Sequence, residues 1–180
     1  MAITASDITF NLATTAGAAG DSTAQADPNA SLGKYISTTQ LTDATLLNLF
    51  DKIGGDENAA STVDYRLFFV KNTHATITWE NVVAWISAET AGGASVAISA
   101  DTTGVTAKGS SSAQAKTIAS ETTAPATQSF SAPTTKGAGI SLGNIPPGSV
   151  AAIWVRRTAA NSAALDVDGA VIRCEGDTSA

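Results

Sequence analysis

His74 and Cys174 are the only histidine and the only cysteine in 180 residues. Chemistry that needs an imidazole base or a thiolate nucleophile therefore has to run through one of these two side chains. His74 closes the polar run Lys71-Asn72-Thr73-His74 between two apolar stretches, the setting of a hairpin-turn residue that hydrogen-bonds locally. Cys174 sits beside Ile172 in a strand-like stretch and reads as a small buried apolar side chain; with no second thiol it forms no intrachain disulfide. A zinc site would need carboxylates for at least two ligands, and nothing spaces them for that purpose. Acidic residues gather at Asp51, Asp56 and Glu57 and again at Asp166, Asp168, Glu175 and Asp177. The EF-hand spacing is absent, so they read as solvated turn carboxylates. Gly54-Gly55 and Gly92-Gly93 lack the Lys-Ser/Thr that completes a phosphate loop. No catalytic, cofactor-binding or metal-ligating residue is assigned, no cofactor is expected, and an enzyme is the least favoured class.

Trp79, Trp85 and Trp154 each fall inside an apolar alternation and read as core; arrayed on the surface they would define a carbohydrate-binding or adhesin module instead. A net charge of -6 with only ten dispersed Lys and Arg argues against nucleic acid, which needs a clustered basic face. The pair Arg156-Arg157 and the single Lys108, Lys116 and Lys136 read as solvated strand-edge and loop charges. No run approaches the ~18 apolar residues of a membrane span, and MAITASDITF lacks a signal-peptide layout. The expectation is a chain with no membrane partner and no Sec export, in which the sequon Asn29-Ala30-Ser31 is inert.

The elements that must position these residues are short strands. Ala, Thr, Ser and Gly supply 93 residues while charged residues are only 14%, so the surface is coated with small hydroxyl and methyl groups around one modest core. Strands are expected over 3–12, 32–37, 63–70, 76–87, 95–100, 140–142, 150–158 and 170–175, separated by Gly, Pro and Asn turns. The first long strand has two apolar faces and is therefore central, and the parity change near Glu80-Asn81 predicts a bulge. Leu46, Leu47, Leu49, Phe50 and Ile53 have helical spacing and predict the one short helix, over 43–53. The fold class is all-β, an antiparallel β-sandwich of immunoglobulin-like or jelly-roll-like kind. Its expected core is Tyr65, Leu67, Phe69, Ile77, Trp79, Trp85, Ile153, Val155 and Ile172. Two regions divide the chain: 1–40, a first strand with an extended arm, and the sandwich domain 41–180 with a Ser/Thr/Ala-rich insertion at 104–137. Ala13 to Ser31 has no side chain large enough to offset its own ordering, so the arm is expected to dock on a neighbouring subunit or capsid. The insertion reads as exposed edge structure or a mobile loop.

Three segments carry a family resemblance: YRLFFVKNTHATITWENVVAWIS (Tyr65 to Ser87), LGNIPPGSVAAIWVRRTA (Leu142 to Ala159) and the final VIRCEGDT. Together with DPNASLG (Asp27 to Gly33) they resemble virion structural proteins of tailed bacteriophages, over roughly the last two thirds of the chain. The resemblance implies a non-enzymatic capsid decoration or head accessory protein, present in the virion in many copies as a homo-oligomer and made in the host cytoplasm. Its implied partners are other virion proteins, above all the major capsid protein; a tail or neck component is the alternative.

Overall fold

The computed structural model describes residues 2–163, 165 and 167–178. Its strands are β1 (Ile8–Thr14), β2 (Tyr35–Gln40), β3 (Val63–Asn72), β4 (Trp79–Glu89), β5 (Ser95–Ala100), β6 (Thr106–Ala107), β7 (Ile140–Ile145), β8 (Ser149–Thr158) and β9 (Ala170–Thr178), with one α-helix, α1 (Gly55–Ala60). They form a six-stranded sheet in the order β2-β1-β3-β8-β5, with β6 also on β8, and a three-stranded sheet β7-β4-β9. Every pairing is antiparallel, and the fold is an all-β sandwich.

The central position of β3 follows from its two apolar faces. Phe68 and Val70 join Ile153 and Val155 of β8 in packing against Trp79, Val82, Ile86, Leu142 and Ile145 of the small sheet. Leu67 and Phe69 point the other way, with Trp154 and Ala152, into a second core closed by Ala115 and Ile118. The large sheet is thus buried on both sides, which accounts for near-continuous apolar runs in β3 and β8. Of the expected core, Leu67, Phe69, Trp79, Trp85, Ile153 and Val155 are buried. Tyr65 and Ile172 pack at the margins of the two cores, while Ile77 is half-buried and belongs to neither.

The bulge in β4 is present: its registers with β7 and β9 both shift around Asn81, whose φ is 51°. The turn before it is not a hairpin, because β3 and β4 lie in different sheets. The connection crosses the sandwich, pinned by the fully buried Asn72, whose side-chain amide donates to the carbonyls of Ile77 and Ile145, each at 2.9 Å.

Residues 43–53 are not helical. Ala44 and Leu47 adopt φ of 55° and 60°, the Asp43 side chain accepts the Ala44 N–H, and Asn48 donates to the Thr42 carbonyl. This local bonding competes with a helix. Leu49 and Phe50 turn inward onto the core, whereas Leu46 and Leu47 stay 58% and 60% exposed. The helix lies just beyond, with Gly54 opening it and the Glu57 carboxylate accepting the Gly54 N–H at 2.6 Å.

The expected arm is corrected too. Residues 13–40 pack on their own chain: β1 is laddered to both β2 and β3, Ala13 and Ile36 are fully buried, and the Ser31 hydroxyl ties Ala13 to Leu67. Backbone bonds within the chain offset the ordering that contacts with a neighbouring subunit were expected to offset: Gly20 N–H to Ser110, Asp21 N–H to Ile36 and Thr38 N–H to Thr23. The 104–137 segment is likewise an ordered layer over the outer face of the large sheet. Gln114, fully buried, accepts the Ile36 N–H at 2.9 Å and donates to the Ala107 carbonyl.

Candidate functional site

Charged residues occupy inward positions at one end of the sandwich. Asp64 and Arg66 continue the face of β3 that carries Phe68, and Arg157 continues the face of β8 that carries Val155, with Asp64 paired directly to Arg157 across the ladder. The Arg157 guanidinium donates to Asp64 Oδ2 at 2.7 Å, with both side chains nearly inaccessible. It also reaches Asp51 Oδ1 at 3.3 Å. Arg66, fully buried, donates to Glu121 and to Asn29 Oδ1. Phe50 lies beneath both guanidinium groups, 4.7 Å from the Arg157 Cζ and 5.5 Å from that of Arg66. This site ties the 43–53 loop, the outer layer and the central strands together, and it corrects the reading of Arg157 as a solvated charge. Chemically it is a clamp: carboxylates occupy both cations.

Next to the clamp runs an open groove of about 1220 Å³ between the 43–55 loop and residues 160, 162, 163, 165 and 167–172, with the ends of β4 and β9. Leu46, Leu47, Leu165, Val167 and Val171, the large apolar side chains that stand exposed among the described residues, all line it. A second cavity of about 420 Å³ lies between Ile3–Ala5, Phe10 and residues 174–176 of β9.

The residues with chemical potential are dispersed. His74 is a turn residue, its Nδ1 accepting the N–H groups of Thr76 and Ile77. Cys174 packs at the margin of the inner core, where burial pushes its thiol pKa up to about 12. Trp79 and Trp85 are 6% exposed and Trp154 is fully buried, its Nε1 donating to Asp101 Oδ2 at 2.7 Å. No strip of surface tryptophans exists. Glu57 caps α1, Asp168 accepts the Ala94 N–H, Glu175 pairs with Lys136, Asp177 meets Asn81, and Asp56 is exposed. Asp166 lies outside the described residues. Among the described residues no three His, Cys, Asp or Glu side chains converge as metal ligands, and no helix is long and apolar enough to cross a membrane.

Sequence reasoning missed Asp64, Arg66, Arg157 and Asp101. The available signal was parity: three of them stand at core-facing positions of strands whose other core-facing residues are apolar. No family model, curated protein or solved structure matches this chain.

Proposed function

We propose that the protein is a non-enzymatic structural subunit of a tailed-bacteriophage particle, a capsid decoration or head accessory protein that binds the virion surface, chiefly the major capsid protein, in many copies. The observation that carries an assembly role is the gathering of Leu46, Leu47, Leu165, Val167 and Val171 at one groove on a surface otherwise made of small polar side chains. Contiguous exposed apolar side chains of this kind mark interaction surfaces. The arginines beside the groove are held by internal carboxylates, which suits a scaffold better than a reaction centre. The assignment to a phage particle rests on the resemblance of Tyr65 to Ser87 and Leu142 to Ala159.

The test is mass spectrometry of separated heads and tails from the phage that encodes the chain, repeated with Leu46→Ser/Leu47→Ser. The expected result is many copies on heads, with strongly reduced incorporation of a variant that melts normally. Copies on tails alone would make it a tail or neck component, and absence from particles would overturn the reading.

A further inference from the structure

β9 is an edge of the small sheet, with β4 as its single ladder partner among the described residues. Alternate N–H and C=O groups of an antiparallel edge strand face away from its neighbour and offer a template for another strand. Both cavities run along this edge: the larger is lined by residues 170–172 and the smaller by residues 174–176. An added strand would thus meet open space beside residues 170–172 and 174–176, with Val171 at one end and Ile3 and Phe10 near the other.

We propose that the occupant is β9 of a second copy, paired antiparallel about a two-fold axis at Cys174, so that two small sheets join into one. The charge pattern selects this partner and register. Arg173 and Glu175 stand on the outer face, 62% and 44% exposed at their side chains. Pairing centred on residue 174 places Arg173 of each copy directly opposite Glu175 of the other, giving two favourable cross-strand pairs about 5 Å apart at Cβ. Sliding by two residues one way sets Arg173 against Arg173; the other way sets Glu175 against Glu175. A slip of one residue would turn the core face of one copy to the solvent side of the other. Glu175 already meets Lys136 at 3.4 Å and Arg173 of its own chain at 4.0 Å. These contacts, one to each carboxylate oxygen, are exposed and weak, so a partner's guanidinium can share or displace them.

This inference shares with the proposed function only the requirement that copies associate, and it is tested on the isolated protein by light scattering and sedimentation. The wild-type chain should dimerise. Arg173→Glu and Glu175→Arg alone should each weaken the dimer about tenfold or more, since each turns two attractive pairs into two repulsive ones. The combined exchange, Arg173→Glu with Glu175→Arg, should restore it, and unchanged melting temperatures would show that folding is intact. A wild-type monomer up to millimolar concentration, or a dimer indifferent to all three variants, overturns the proposal. A dimer obeying this pattern in a protein missing from particles would defeat the virion reading alone; a monomer abundant in particles would defeat the edge pairing alone.

Discussion

Asp64 and Arg157 show what a buried charge demands of its partner. Their pair is nearly sealed from solvent, so Asp64→Ala leaves the guanidinium with only the more exposed Asp51 carboxylate at 3.3 Å and should cost about 3 kcal/mol, read as a shifted urea midpoint. Replacing both residues with apolar ones of similar volume should cost clearly less, because no charge is left unpaired. Cys174 makes a prediction of the opposite kind. Burial raises its pKa from 9.0 to about 12, so the folded state holds the proton more tightly than the unfolded chain. Its contribution is present below pH 9 and is lost as pH rises towards 12. Alkaline titration of unfolding should show that decline in the wild type and a shallower one in Cys174→Ala. Of the candidate residues, the places of two were legible in the sequence itself: the lone His74 in a turn and the lone Cys174 in a strand. The clamp was not, because a charged residue at a core-facing strand position looks like a solvated one until its partner from a distant segment is known.

The 41–54 loop shows where periodicity misleads. Spacings of three and four among Leu46, Leu47, Leu49, Phe50 and Ile53 imitate an amphipathic helix. A single inward turn at Leu49 and Phe50 satisfies the same need for burial, and the positive φ at Ala44 and Leu47 rules a helix out. A helix buries all five residues, whereas the loop separates them by function. Phe50→Ala should therefore cost about 3–5 kcal/mol, losing core contact and the cation–π stack, while Leu47→Ser should change stability by less than about 0.5 kcal/mol. Equal effects in thermal melts would contradict the loop. In β9 the backbone of Gly176 approaches the Trp79 ring and the Glu80 carbonyl so closely that a Cβ would lie 2.7 Å from Trp79 Nε1 and 2.6 Å from the Glu80 oxygen. Gly176→Ala should destabilise the protein by about 1–3 kcal/mol through overpacking, read from the same melts.

At the scale of the molecule, the alternating strands and the two-faced β3 were readable because a period of two is a local property. The layering was not. Residues 15–34 and 104–137 carry few large side chains, and their order comes from long-range backbone and amide bonds such as those of Ser31 and Gln114, which leave no periodic trace. Asp101 links this layer to the large sheet, accepting from Trp154 Nε1 and from the Lys116 N–H at 3.0 Å. Asp101→Ala should thus speed amide hydrogen exchange over 101–118 more than over β4 and β9. The pairing of β3 with β8 has a further consequence during synthesis. β3 needs β8 for most of its length, yet more than seventy residues are translated between the end of one and the start of the other. A nascent chain must carry the β8-facing edge of β3 unpaired until residues 149–158 have left the ribosome. Folding is then slow, on the millisecond-to-second scale of sandwiches closed by distant strands, and β3 is the segment on which a holding chaperone would act.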